Sequence, residues 1–131
     1  MYLLDTNICI FLKNRKPRNV LEHLHRVIDK NLYISSITVA ELYFGVFNSQ
    51  NIEKNHVSLV EFLAPFEILD FDDEDAKEFG RIRAKLKKEG RLIGPYDMQI
   101  AAQAISKKLI LVTNNTDEFI RVDGIKIEDW K

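Results

Sequence analysis

The chain has 131 residues, which suffices for one domain with a sizeable buried core and leaves no room for a second. Hydrophobic residues make up 46% and charged residues 30%, so a disordered, collagen-like or low-complexity chain is excluded. Because 19 basic residues stand against 20 acidic ones, the formal net charge is −1, and any nucleic-acid partner must be held by a local basic patch.

Cysteine content and hydropathy indicate the compartment. The single cysteine, Cys9, excludes an internal disulfide and a cysteine-based zinc site, and we expect it to be a small buried hydrophobe. The first residues lack the basic region of a signal peptide, and no stretch approaches the roughly 20 apolar residues of a membrane span. We therefore expect a cytoplasmic protein without a membrane segment.

Five short apolar runs predict strands at residues 2–4, 32–34, 66–69, 109–112 and 125–127. The segments between them are long enough for helices. Strands that alternate with helices predict an α/β fold with a mostly parallel sheet wrapped by helices, because parallel neighbours need crossover connections. Ligands of such sheets bind at the carboxyl ends of the strands.

Three helices have sequence signals of their own. A hydroxyl cap at Ser36, or the Thr38 and Glu41 pair, predicts a helix near 36–48. Pro95 after Gly94 predicts the start of another.

The segment 72–89 is the clearest helix, with acids at its front and bases at its rear. Its apolar residues recur every three or four positions, at Ala76, Phe79, Ile82 and Leu86.

Three carboxylates stand where charge is otherwise missing. Asp5 is the only charged side chain before Lys13, Glu41 the only one between Lys30 and Glu53, and Asp97 the only one between Arg91 and Lys107. An ionised carboxylate in an apolar stretch is costly to desolvate unless a cation or hydrogen-bond donors meet it.

The predicted elements place these acids near one edge of the sheet. Asp5 ends the first strand, Glu41 follows the second, and Asp97 opens the helix before the fourth, while Asn115 and Asp117 come directly after the fourth. Oxygen ligands of this kind suit Mg²⁺, which can activate a water for attack on a phosphodiester.

Structural explanations compete for most of these residues. Asp5 also suits a helix N-cap, Asp97 a first-turn acid stabilised by the helix dipole, and Asn115 and Asp117 an Asx turn. For Glu41 a purely structural explanation is weaker. A glutamate in the middle of a helix with apolar neighbours is expected only if one side of that helix faces solvent. The shared location of all of them carries the metal-site hypothesis.

The histidines are weaker candidates for metal ligands. His23, His25 and His56 lack metal-ligand spacing relative to each other and to the acids, so surface or helix-packing roles are expected.

Four sequence blocks resemble the PIN domain, and within it the VapC-type toxins of bacterial toxin–antitoxin pairs. They cover the chain in order, as MYLLDTN at 1–7, ISSITVAEL at 34–42, IGPYDMQIAA at 93–102 and LVTNNTDEF at 111–119.

The resemblance implies a three-layer α/β/α fold with a five-stranded parallel sheet, over a single domain of residues 1–131. It also implies an endoribonuclease that depends on Mg²⁺ or Mn²⁺. Asp5, Glu41 and Asp97 match its acidic core, and the resemblance implies that Asp5 and Asp97 are the direct metal ligands. The fourth acidic position falls on Asn115, which adds no charge, so the second metal and the role of Asp117 stay open.

The resemblance further implies partners. They are an RNA substrate, tRNA being one class, a VapB-type antitoxin whose tail lies in a groove of the toxin, and a second toxin copy within a larger complex. DNA would be contacted only through the antitoxin. The aromatic residues Tyr43, Phe44 and Phe47 are compatible with such a groove, although core packing explains them as well.

Two basic runs are candidate RNA contacts. We favour the first, Lys13, Arg15, Lys16 and Arg18, as phosphate contacts. The second, within residues 81–91, is explained by the helix dipole.

Two alternatives from other classes remain. A catalytically silent module of this fold could bind a basic peptide or RNA through its acidic pocket, which the neutral Asn115 favours. A phosphoacceptor receiver domain is disfavoured, because Asp5 has no acidic neighbour.

Overall fold

The computed structural model describes residues 1–27 and 31–131. The strands are β1 (Tyr2–Leu4), β2 (Leu32–Ser35), β3 (Glu67–Leu69), β4 (Ile110–Val112) and β5 (Ile127–Glu128). The helices are α1 (Thr6–Asn14), α2 (Arg18–Val27), α3 (Ser36–Phe47), α4 (Ile52–Leu63), α5 (Asp73–Lys88), α6 (Pro95–Ser106) and α7 (Thr116–Phe119).

The five strands form one parallel sheet in the order β3-β2-β1-β4-β5, which confirms the predicted sheet. β1 is central, and the chain leaves it toward β2 on one side and returns in β4 on the other. Crevices of this kind, at the carboxyl ends of diverging strands, are where α/β sheets bind ligands. The last strand lies later than 125–127 because Gly124, at φ +84°, turns the chain and Ile125 N–H bonds back to Val122.

The helices cover both faces of the sheet. Leu3 packs with buried residues of α5, α6 and α7, whereas Leu4 packs with α1, α2, α3, α4 and the buried Trp130. Adjacent residues of a strand point to opposite faces, so these two leucines place the two helical layers. The result is the expected three-layer α/β/α arrangement.

Helix α5 matches the predicted segment 72–89 to within one residue at each end, and Ile82 and Leu86 are buried as expected. Ala76 is exposed instead, and Asp75 is buried beside it. Asp75 is tolerated there because its carboxylate accepts the Asp72 N–H in a capping box and lies 3.3 Å from Lys107 Nζ. Since Lys107 follows α6, this contact joins the start of α5 to the end of α6.

Helix α6 begins at Pro95, as predicted, and half of its residues are buried. Gln103 anchors it by donating to the carbonyls of Leu69 and Asp70 at the end of β3. The first turn, which carries Asp97, is therefore held on a well-packed element.

Helix α3 begins where expected but with a different cap. Ser35 caps it by accepting the Ile37 N–H at 3.0 Å, whereas Ser36 Oγ accepts the N–H of Phe71 at 3.2 Å. The expected cap at Ser36 or Thr38 is therefore wrong, because the chain turns into the helix one residue earlier and leaves both side chains for tertiary contacts.

No helix within residues 1–27 and 31–131 is both long and apolar enough to cross a membrane. Cys9 is fully buried, as expected, and burial raises the pKa of its thiol. The rings of His23 and His56 pack edge-on against Trp130 and Tyr43, which agrees with the expected packing roles.

Candidate active site

Asp5 lies at the crevice between β1 and β4, and both of its oxygens are hydrogen-bonded. Its Oδ1 accepts the N–H of Ile8 at 2.9 Å, which makes it the N-cap of α1. Its Oδ2 accepts the hydroxyl proton of Thr113, which directly follows β4. The two explanations for Asp5 are thus compatible, because one carboxylate both caps the helix and faces the neighbouring strand end.

Asn115 reaches this cluster through its backbone. Its N–H donates to Thr113 Oγ1 at 2.9 Å, and that hydroxyl in turn donates to Asp5. Asn115 itself precedes α7, and its half-buried side chain makes no capping hydrogen bond. The Asn115 backbone therefore orients the threonine that holds Asp5.

Glu41 is held by a hydroxyl from a different helix. Thr6, the first residue of α1, donates from Oγ1 to Glu41 Oε1 at 2.9 Å. Thr38 Oγ1 lies 3.2 Å from the same Thr6 oxygen, and it lies one turn before Glu41 on α3. The contact between α1 and α3 thus brings Glu41 to the segment that follows Asp5.

Asp97 lies in the first turn of α6, close to the carboxyl group of Glu118. Burial, and then the negative charges of Glu118, Asp5 and Glu41, raise the pKa of Asp97 to about 6. Burial is also the main reason that the pKa of Asp5 rises to about 6, with a smaller contribution from the charge of Glu41. The three acids singled out in the sequence therefore share one electrostatic environment.

Glu118 is the site residue that sequence reasoning missed, whereas Asp117 is exposed. In the short helix α7, Glu118 precedes the buried Phe119 and lies one turn after Asn115. Residues three apart lie on the same side of a helix, so this spacing was the available signal. A fourth carboxylate thus reaches the site from the segment that carries Asn115.

The donor set fits a hard divalent cation. All four side chains offer carboxylate oxygens, and the raised pKa values of Asp5 and Asp97 mean that their negative charges are undercompensated. Within residues 1–27 and 31–131, no three acidic, histidine or cysteine side chains form a ready-made ligand set. Mg²⁺ needs none, since it commonly takes one or two carboxylates and keeps several waters.

A cleft of about 830 Å³ lies between α1 and α3, and Glu41 is the member of the acid group that lines it. Thr6 and Glu41 lie in its wall, together with Ile10, Lys13 and Tyr96. Lys13 therefore lies in the same space as a candidate catalytic carboxylate.

The other three basic residues of the first run do not line this cleft. Arg15 ends α1 in a left-handed conformation at φ 56°, and Lys16 follows it. Arg18 begins α2, where it lies 3.5 Å from Glu22. The structure thus separates Lys13 from its neighbours in the sequence.

Comparison with known proteins agrees with this architecture. The PIN domain family profile matches residues 2–125, which is nearly the whole chain. The chain belongs to the PIN domain family. In this PIN domain, the strand ends that carry Asp5 and Thr113 lie side by side in the sheet.

Among its relatives, the PIN domain is 45% identical over 129 residues to the tRNA(fMet)-specific endonuclease VapC of Shigella flexneri, covering 98% of this chain and 97% of that one. It is similar to a DNA-bound VapBC structure from Salmonella typhimurium, with a TM-score of 0.93, 42% identity, and coverage of 99% and 98% of the two chains. VapBC2 from Rickettsia felis, bound to a promoter DNA fragment, gives a TM-score of 0.93 at 37% identity, with coverage of 99% and 98%. The likeness to VapC therefore extends over the full length.

Two aromatic residues of this PIN domain are exposed on α3. Phe44 is 68% and Phe47 61% exposed, so core packing does not explain them. Only Tyr43 of the three packs against the core. Phe44 also lines the cleft, which makes that wall apolar at the surface.

Proposed function

We propose that this PIN domain, taken as one domain over residues 1–131, is the toxin of a type II toxin–antitoxin pair and a metal-dependent endoribonuclease. The observation that carries the proposal is the grouping of Asp5, Glu41 and Asp97. These side chains come from distant parts of the sequence, and their charges act on one another at one edge of the sheet. A cation-dependent site for phosphodiester hydrolysis needs such a group of acids.

Asp5 and Asp97 would hold Mg²⁺ or Mn²⁺, and Glu118 adds a carboxylate beside Asp97. When bound, the ion lowers the pKa of the attacking water and offsets charge on the phosphate oxygens. The Thr113 hydroxyl keeps Asp5 oriented for this role, and the Asn115 N–H orients Thr113.

We assign to Glu41 the role of orienting or deprotonating the attacking water. Thr6 holds Oε1, which leaves Oε2 to accept the water proton as the water oxygen bonds to phosphorus. One bridging P–O bond breaks, and the leaving oxygen takes a proton from solvent. Asn115 stays a candidate for the outer shell of the site, where its amide oxygen would accept a hydrogen bond from water.

The RNA backbone would be met first by Lys13, which lies in the cleft with Glu41. Phosphate contacts of this kind position a strand without reading its sequence. Arg15, Lys16 and Arg18 extend the same basic segment and are proposed as weaker contacts. A tRNA is the substrate class that the name of the Shigella relative supports.

The antitoxin is proposed to be of the VapB type, with DNA bound only through it. The exposed Phe44 and Phe47 offer it an apolar wall next to the acids, and a basic side chain of its tail would meet the uncompensated charge there. Solved VapBC assemblies with the same toxin fold support this partner. We also propose a homodimer of the toxin within the complex and a cytoplasmic location.

Incubation of purified protein with bacterial tRNA tests the proposal. We expect fragments with Mg²⁺ or Mn²⁺, none with EDTA, and recovery when the metal is added back. Asp97→Asn should abolish cleavage with an unchanged circular dichroism spectrum, whereas Asp117→Asn, an exposed acid on α7, should cleave normally.

Cleavage by folded Asp97→Asn at the wild-type rate, or fragments that persist in EDTA, would refute the proposal. Absence of fragments under every condition, with retained RNA binding, would instead support the catalytically silent module.

A further inference from the structure

Tyr96 is an exposed aromatic residue placed directly beside a candidate catalytic acid. It occupies the first turn of α6 between Pro95 and Asp97, and its side chain is 58% exposed. Consecutive Cα atoms are about 3.8 Å apart, so the ring is attached to the backbone immediately next to the Asp97 carboxylate. The backbone of Tyr96 therefore belongs to the same helical turn as that of Asp97.

Tyr96 is one of the residues that line the cleft. Tyr96 lines the same space as Glu41 and Lys13, although it belongs to a different helix from either. Neighbouring residues on a helix project about 100° apart, which lets Asp97 face the acids while Tyr96 lines the cleft. An aromatic residue, an acidic residue and a basic residue thus border one concave space.

We propose that Tyr96 is the stacking platform for a nucleobase next to the scissile phosphate, an inference that rests on the proposed ribonuclease function. A phosphate held at the acids carries a base within one nucleotide's reach, and the adjacent ring offers that base a flat apolar face. Lys13 supplies the complementary charge for a further phosphate in the same cleft. RNA that is single-stranded at the cut site suits this arrangement, because its bases are free to stack on side chains.

Stacking predicts which RNA bases and which substitutions of Tyr96 are tolerated. Every base has an aromatic face, so Tyr96 strengthens binding of RNA without selecting its sequence. The tyrosine hydroxyl is not needed, so phenylalanine should replace it and alanine should not. The contribution should appear mainly in KM, because Tyr96 holds the RNA and carries no proton in the reaction.

The test combines protein variants with a modified substrate. The probe is a short fluorescent RNA with one bond that wild type cleaves in Mg²⁺, made intact or with an abasic nucleotide on either side of that bond. The proteins are wild type, Tyr96→Ala, Tyr96→Leu, Tyr96→Phe and the control Val57→Ala. Val57 is 59% exposed on α4 and does not line the cleft.

We expect Tyr96→Ala and Tyr96→Leu to raise KM about tenfold on intact RNA, as for the loss of one base–aromatic stack. Tyr96→Phe and Val57→Ala should behave as wild type. One abasic position should raise the wild-type KM by the same factor and leave the KM of Tyr96→Ala unchanged, because both changes remove the same contact.

Three results would overturn the inference. The first is an unchanged KM for folded Tyr96→Ala and Tyr96→Leu. The second is a KM increase from Tyr96→Ala that multiplies with the increase from the abasic nucleotide at both positions. The third is a KM increase for Tyr96→Phe as large as that for Tyr96→Ala. A change in oligomeric mass alone, with RNA kinetics intact, would assign Tyr96 to contact between copies. Because wild type must cleave the probe first, failure of the ribonuclease proposal is recognised separately.

Discussion

Thr6 and Glu41 are joined by a 2.9 Å hydrogen bond across 35 positions of sequence. The bond links α1, which follows Asp5, to α3, which carries Glu41. It therefore holds Glu41 near Asp5, although the two acids belong to different elements. Thr38 Oγ1, also on α3, lies 3.2 Å from the same Thr6 hydroxyl, so α1 and α3 share two polar contacts at this point.

Thr6→Val keeps the shape of the side chain and removes the hydroxyl. Glu41 would then be free to move from the attacking water, so kcat should fall roughly ten- to hundredfold with little change in KM. Thr6→Ser should restore most of the rate. Single-turnover kinetics across pH check this, and a Thr6→Val enzyme with wild-type kcat would show that the bond has no positioning role.

Glu118 and Asp117 are adjacent acids with different surroundings, which makes them a matched pair. Glu118→Gln removes a charge in contact with Asp97, so Mn²⁺ affinity should fall about tenfold and the pKa of Asp97 should drop. Asp117→Asn should change neither, because that side chain is exposed. Calorimetric Mn²⁺ titrations compare the two, and equal losses would indicate a nonspecific charge effect.

The raised pKa of Asp5 makes metal-free stability depend on pH. The folded protein holds the Asp5 proton up to about pH 6, whereas the unfolded chain releases it near pH 4. The folded state therefore binds more protons in this window, and this group's contribution to stability falls as pH rises, by about 3 kcal/mol when complete.

Asp5→Asn removes this dependence and keeps an acceptor for the Ile8 N–H. In EDTA at pH 7.5 the variant should unfold at a higher urea concentration than wild type, and at pH 4 the two should be similar. Millimolar Mn²⁺ should stabilise wild type at pH 7.5 and not the variant. Identical urea curves for both proteins at both pH values would rule out a buried, undercompensated Asp5.

Lys13 is the member of the first basic run that lines the cleft. Lys13→Gln should raise KM for RNA and lower the slope of log KM against log salt by about one, as for loss of one phosphate contact. Lys77→Gln, an exposed lysine on α5, is the matched control. Equal salt slopes for wild type and Lys13→Gln would remove Lys13 from the RNA path.

Much of this architecture follows from the sequence, because its signals are local. Apolar runs predicted four of the five strands closely, Pro95 predicted the start of α6, and the isolated charges of Asp5, Glu41 and Asp97 predicted the candidate site. What failed depended on tertiary contacts. Asp75 is buried only because Asp72 and Lys107 meet it, which no spacing reveals.

The fourth acid illustrates the same limit. Asp117 and Glu118 are adjacent acidic residues that the sequence alone does not distinguish. Helix α7 packs with Phe119 buried, and this orientation brings Glu118 close to Asp97. The exposure of Phe44 likewise depends on what lies over α3, and its apolar character alone favours the core.

Anomalous diffraction from crystals soaked in Mn²⁺ tests the central claim most directly, because it locates the ion without reference to activity. We expect one dominant peak in contact with carboxylate oxygens of both Asp5 and Asp97, lost in crystals of Asp97→Asn. A peak elsewhere, or none at Mn²⁺ concentrations that support RNA cleavage, would contradict a metal site at this edge of the sheet.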